Sequence, residues 1–365
     1  MALRVQPNPN PRPAEERAAI LADPGFGRYF TDHLVRIEYA DGAWGEGAVL
    51  PYGPLDFDPA TMVAHYGQEI FEGLKAYRQA DGSVAGFRPG ANAARFRRSA
   101  RRMGMAELPE ERFVESLEAL VAMDVDWVPA GGGEQSLYLR PFMIATEVGL
   151  GVRPANRYLY LLIASPAGPY FHGDEGGDGT VTVWISTEYF RAAPGGTGEV
   201  KCGGNYAASI LAQAMAAERG CDQVLWLDPV QQRWIEEMGS NNVYFVYGRG
   251  ENARVMTPAL SGTFLPGITR DSLLTVAADL GYPVSEDRIS VEELHAGAES
   301  GEITEMFGCG TAAIVTPIGR VRSARGESLI GDGTPGDVTM RLREQLLGIQ
   351  TGRLADRHGW LHRLA

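Results

Sequence analysis

Lysine is nearly missing from this chain. Of its 33 cationic side chains only Lys75 and Lys201 are lysines, and the other 31 are arginines. Arginine stays protonated in a protein, whereas a desolvated lysine can shed its proton and act as a nucleophilic amine. Other absences narrow the field further. No apolar run approaches the roughly 18 residues of a membrane span. The longest, YLYLLIA (158–164), has the length and β-rich makeup of a buried strand. The N-terminus has prolines and acids but no apolar h-region, so no signal peptide is expected. Three cysteines (Cys202, Cys221, Cys309) are odd in number and share no metal-ligand spacing, which fits a reducing compartment and points to the cytoplasm. The six histidines are scattered apart from His358 and His362 at i, i+4, which sit in no metal-binding motif, and no metal site is expected. GxxxxGK(S/T), HExxH, CxxC and GxSxG are all missing, as is a glycine fingerprint after a first strand. The formal charge of −13 argues against nucleic acid or an anionic membrane as partner, since either needs a basic face.

What is present reads as two α/β domains in 365 residues. Residues 28–48 alternate as strand, turn and strand, with Asp41-Gly42 as the turn. Residues 93–108 and 111–128 carry apolar side chains at helical spacing, and 136–147 and 157–171 read as core strands. The acidic, glycine-rich stretch HGDEGGDGT (172–180) is the best linker, which sets domains at 1–171 and 181–365. Beyond it, 180–186 starts a strand and AASILAQAMAAERG (207–220) is a helix ended by Gly220. Two neighbouring strands follow, with a turn at DPVQQ, and helices are expected at 271–281 and 340–350.

Chemistry concentrates in a few stretches. Lys201 lies in GEVKCGGNYA, where glycines on both sides let backbone and ligand approach closely, and Tyr206 is five residues on. In WIEEMGSNN, strand alternation turns one of Glu236 and Glu237 inward, and a buried carboxylate needs a partner. LPGITRDSLL runs a Pro-Gly turn into a helix, so the N–H groups of Ile268 and Thr269 are placed for an anion. GCGTAA adds a small-residue turn with the Thr311 hydroxyl. Arg88 in GFRPG and Arg140 in YLRPF each precede a proline after a strand, settings that suit a phosphate and a carboxylate. Each of these alone is equally an ordinary loop, turn or ion pair.

Taken in order, HYGQEIFEGLKAYR, FRP, LYLRP, GEVKCGGNYAAS, GCDQVLWLD, EEMGSNN, LPGITRDSLL and FGCGTAA resemble the branched-chain amino-acid aminotransferases over roughly residues 25–350. The resemblance implies a fold-type IV enzyme dependent on pyridoxal 5'-phosphate, α/β (α+β) in class. A smaller N-terminal α/β domain would precede a larger C-terminal pseudo-barrel domain. It implies transamination of L-leucine, L-isoleucine and L-valine with 2-oxoglutarate. D-amino-acid transamination or aminodeoxychorismate lyase action are alternatives on the same fold, and a non-catalytic binding protein is a further one.

By the same resemblance, Lys201 matches the lysine that bonds the cofactor and moves the proton. Glu237 matches the acid on its ring nitrogen and Tyr206 the tyrosine on its phenolic oxygen. Arg88, Ile268, Thr269 and Thr311 match the phosphate cup, and Ser240 a cofactor-side contact. Tyr66, Phe71, Tyr138, Arg140 and Tyr170 match the substrate pocket, and Thr311-Ala312 the backbone that receives the substrate carboxylate. Leu150 and Val152 match residues supplied by the other subunit of a homodimer. The chain departs from the family pattern at Ala313 and Thr316, where some members carry a redox CxxC. It also departs at Ser240-Asn241, where threonine and methionine are frequent.

Overall fold

The computed structural model describes residues 3–131, 133–168 and 179–365. Most of the expected linker, 172–178, lies outside them. The chain divides into two compact units, the first comprising Met1–Tyr170, Lys201–Gly203 and Gly348–Ala365, the second Phe171–Val200 and Gly204–Leu347.

The first unit is built on a ten-stranded sheet. Its centre is the long antiparallel pair Ser136–Ala145 and Tyr158–Ala167. The apolar run at 158–164 is explained by burial on both faces. Leu159 and Leu161 cluster with Leu34. Tyr160, fully buried, instead meets Phe96 and Phe113, from the helices Pro89–Arg102 and Glu110–Met123. The Asp41-Gly42 turn joins His33–Ala40 to Ala43–Trp44 as expected. At the far edge, Leu361–Arg363 pairs with Val84–Phe87, which explains why the C-terminal residues group with the N-terminal ones.

The second unit is a barrel. Six strands run in the order Ile235–Met238, Gln223–Leu227, Val181–Ile185, Ile314–Ser323, Ile303–Gly310 and Asn241–Tyr247. The last pairs back onto the first through Glu237–Asn242 and Met238–Asn241, closing the ring. Val183, Leu225, Val243, Phe245 and Val321, all fully buried, belong to the cluster of alternate residues that fills it.

Several elements differ from the expectation, among them the helices expected at 93–108 and 340–350, which run Pro89–Arg102 and Asp337–Gln350. The single helix at 207–220 is two: Gly203–Ala207 and Ile210–Glu218. Ser209 interrupts them, donating both its N–H and its hydroxyl to the Tyr206 carbonyl. The helix expected at 271 starts earlier, running Ile268–Asp279.

The turn after Leu227 is organised by one carboxylate. Asp228 accepts from the N–H groups of Val230 (3.2 Å), Gln231 (2.7 Å), Arg233 (3.0 Å) and Trp234 (2.8 Å). Burial pushes Asp228 up, but the four donors outweigh it and hold the carboxyl below its ordinary range. A depressed folded-state value means stabilisation that is present above the unfolded value and lost as pH falls through the folded one. Urea titration of Asp228→Ala against the parent protein should show a lower midpoint at neutral pH. The gap should close as pH drops below the ordinary aspartate value of ~3.9; a gap independent of pH would contradict this assignment.

Candidate active site

In the first unit Lys201 is fixed through its backbone. Its N–H donates to Ser99 Oγ (3.3 Å), and its carbonyl accepts from the N–H of Phe71 (3.0 Å). The ammonium nitrogen lies 5.0 Å from the centre of the Phe71 ring. Just ahead of it in the chain, Asn205 Nδ2 donates to the Val200 and Thr197 carbonyls, both at 2.7 Å, so the approach to Lys201 is tied down as well. Phe71 shares its ring with Arg140, whose guanidinium carbon is 4.8 Å from the centroid. Arg140 also donates to the Tyr138 hydroxyl (3.0 Å), and its buried Nε has no hydrogen-bond partner among the described residues. Lys201, Phe71, Tyr138 and Arg140 therefore form one cluster.

Beneath it lies a carboxylate that sequence reasoning missed. Glu72 is 0% exposed. Arg95 grips it with Nε on Oε1 (2.7 Å) and a terminal nitrogen on Oε2 (2.8 Å), and Asn92 adds a third bond (2.8 Å). Burial alone would raise its pKa; the Arg95 guanidinium, helped by the Lys201 charge and Asn92, holds it below the ordinary range. Glu69, by contrast, is pushed up by burial, against the Gly203 N–H and the charge of Arg140.

Arg88 has φ +52°, a left-handed conformation that a non-glycine residue adopts only when its surroundings impose it. Its N–H donates to the Trp360 carbonyl (2.7 Å), and its guanidinium carbon is 5.3 Å from the Trp360 ring. The Tyr66 hydroxyl donates to the Leu150 carbonyl. Leu150 and Val152 are exposed at 65% and 84%. Tyr170 lies outside the described residues.

In the second unit both acids of the Glu236-Glu237 pair are buried, where alternation had turned only one inward. Glu236 takes hydroxyl partners, Ser261 Oγ (3.0 Å) and Thr263 Oγ1, and burial pushes its pKa up. Glu237 takes a cation instead, forming an ion pair with Arg191. Thr269 is buried and Ile268 half-buried at the start of their helix, which has no side-chain cap. A Cβ on Gly267 would come within 2.1 Å of Asn242 Oδ1, so the backbone that enters this helix packs where no side chain fits. Thr311 and Ala312 are half-buried in the turn between Ile303–Gly310 and Ile314–Ser323. That turn ends on Ile314 at φ +61°, an outlier for a β-branched residue. Ser240 is exposed in its turn, and Tyr206 is half-buried in the short helix Gly203–Ala207.

In the first unit, a lysine pinned beside an aromatic ring and an arginine suits lysine-dependent group transfer. The chain belongs to the amino-transferase class IV family, whose pattern matches residues 69–321. Among its relatives, the branched-chain-amino-acid aminotransferase of Mycolicibacterium smegmatis is 60% identical over 361 residues, 99% of this chain and 97% of that protein. The probable branched-chain-amino-acid aminotransferase of Streptomyces coelicolor is 58% identical over 364 residues, 100% of this chain and 99% of that one. The Escherichia coli branched-chain amino acid aminotransferase has a similar structure (TM-score 0.73, 26% identity, 90% of this chain and 99% of that one). So has a T.th. branched-chain amino acid aminotransferase with pyridoxamine 5'-phosphate (TM-score 0.72, 29% identity, 90% and 98%).

The Glu72 cluster carries a stability prediction. Glu72→Ala strands the Arg95 charge in the core and should cost about 3–5 kcal/mol in chemical denaturation. Glu72→Leu combined with Arg95→Leu should recover most of that loss; equal losses in the single and double variants would contradict the ion-pair account.

Proposed function

We propose that this chain is a pyridoxal-phosphate-dependent transaminase that moves the amino group of L-leucine, L-isoleucine or L-valine to 2-oxoglutarate, leaving the branched 2-oxo acids and L-glutamate. The reading is carried by the lysine that the arginine-rich composition singles out. Lys201 is fixed at both its N–H and its carbonyl, in a class IV chain 60% identical over 99% of its length to a branched-chain-amino-acid aminotransferase. One similar structure is complexed with N-(5'-phosphopyridoxyl)-L-glutamate.

The residues fit such a cofactor. A phosphate wants oriented N–H groups and a guanidinium. The helix start at Ile268 and Thr269 and the Thr311 hydroxyl would supply the first, and Arg88, held at positive φ, the second. Glu237, in a buried strand, is the acid for the ring nitrogen, Tyr206 the donor to the phenolic oxygen, and Ser240 a further contact on that side. When bound, the cofactor supplies an electron sink for charge that develops at the substrate Cα.

The side chains do the rest. Lys201 Nζ would take the proton from Cα and hand it on to the carbon across the transferred nitrogen, a relay for which a permanently protonated arginine is unsuited. Phe71, Tyr66, Tyr138 and Tyr170 offer apolar and phenolic surface to the branched chain. Arg140, with its unpaired Nε, binds the distal carboxylate of the glutamate half-reaction. The turn at Thr311-Ala312 presents backbone to the substrate α-carboxylate. The exposed Leu150 and Val152 belong to a homodimer interface, across which they complete the substrate pocket. The domain connection falls at 172–180, and the enzyme works in the cytoplasm.

Lys201→Arg preserves charge and approximate length, so it should keep the parent melting temperature. It should bind pyridoxal phosphate only reversibly and lose leucine–2-oxoglutarate transamination by at least about 10⁴-fold. An arginine variant that turned over would sink the assignment of Lys201.

A further inference from the structure

Arg191 enters neither the sequence reading nor the catalytic roles above, yet it holds one of the most constrained side chains in the second unit. Its guanidinium donates to the Gly198 carbonyl (2.9 Å) and the Thr263 carbonyl (3.2 Å), and its Nε makes the ion pair with Glu237. The side chains of Arg191 and Glu237 are 10% and 4% exposed. Glu237 sits mid-sheet, opposite Trp226 on one side and Asn242 on the other. The two carbonyls converge on the guanidinium because residue 198 is glycine: a Cβ there would fall 2.1 Å from the Thr263 oxygen.

The adjacent acid is treated differently. Glu236 receives hydroxyl groups from Ser261 and Thr263 and no ion pair among the described residues. Thr263 thus serves both acids, its hydroxyl bonding Glu236 and its carbonyl anchoring the cation on Glu237. Two neighbouring carboxyls in one buried strand are thus given different partners, hydroxyls for one and a cation for the other.

We propose that Arg191 is a positioning residue for the reaction: clamped on two carbonyls, it holds Glu237 as an oriented carboxylate, so that the proton the acid shares with the cofactor ring nitrogen stays on nitrogen. This rests on the reading that Glu237 addresses that nitrogen. The electrostatics are simple. The shared proton leaves either a carboxylate with a cationic ring or a carboxyl with a neutral one. Arg191 touches the carboxylate directly, whereas anything the carboxylate bonds lies at least one hydrogen bond further off. Attraction to the carboxylate therefore exceeds repulsion of the ring charge, and the charged pair is favoured.

The test uses the full-length protein reconstituted with pyridoxal phosphate labelled with ¹⁵N in the ring. Nitrogen NMR reads the protonation of the ring nitrogen, and fluorescence titration of the apoprotein reads cofactor affinity. Arg191→Met should move the ring resonance toward the unprotonated position and weaken affinity by roughly 30-fold, the lower end for breaking a buried charged pair. Arg191→Lys should restore part of both, and it carries the test if the methionine variant does not fold. In a Glu237→Gln background, Arg191→Met should shift the resonance no further. If Arg191→Met or Arg191→Lys keeps the parent resonance while Glu237→Gln loses it, the proposal fails and the role of Glu237 stands. If Glu237→Gln leaves the resonance unmoved, the reading beneath the proposal fails as well.

Discussion

Two carboxylates taken out of water, Glu72 in the first unit and Glu237 in the second, are each met by an arginine that is itself held in place. A buried carboxylate left unanswered neutralises or unfolds its surroundings, so the geometry around each acid is dictated by its cation. Around Glu72 that requirement fixes the helix Pro89–Arg102, which supplies Asn92, Arg95 and Ser99, and Ser99 in turn holds the backbone of Lys201. Around Glu237 it draws in the 191–198 segment and the Thr263 backbone. At both acids the structural cation is arginine, permanently protonated and forked.

The elements that sequence could show were those governed by local chemistry. The Asp41-Gly42 hairpin, the doubly buried strand at 158–167 and the Asp228 turn are each encoded in a handful of neighbouring residues. The closure of the barrel was not, because the pairing of Ile235–Met238 with Asn241–Tyr247 matters only once four other strands complete the ring. The division of the Ala207 helix depended on one hydroxyl, Ser209, folding back onto Tyr206.

Among the candidate residues, Lys201 was conspicuous by its rarity, whereas alternation left Glu236 and Glu237 equal and only the family resemblance chose Glu237. Arg191 was invisible for the opposite reason, since one arginine among 31 carries no signal. Glu72 had a signal that went unused: it is a charge inside an otherwise apolar strand run, IFEGL, and such a residue must find a partner. Nor does any residue type announce the positive φ of Arg88 and Ile314. Both conformations cost energy and persist because tertiary contacts impose them.

The most direct test of the account is optical. The purified protein, supplied with pyridoxal phosphate, should be yellow, and L-leucine added without any keto acid should bleach that colour as the amino group passes to the cofactor. Subsequent 2-oxoglutarate should restore it. Bleaching by D-alanine and not by L-leucine would contradict the substrate assignment while leaving the fold and Lys201 in place. A protein that stays colourless with pyridoxal phosphate present would contradict the account at its root.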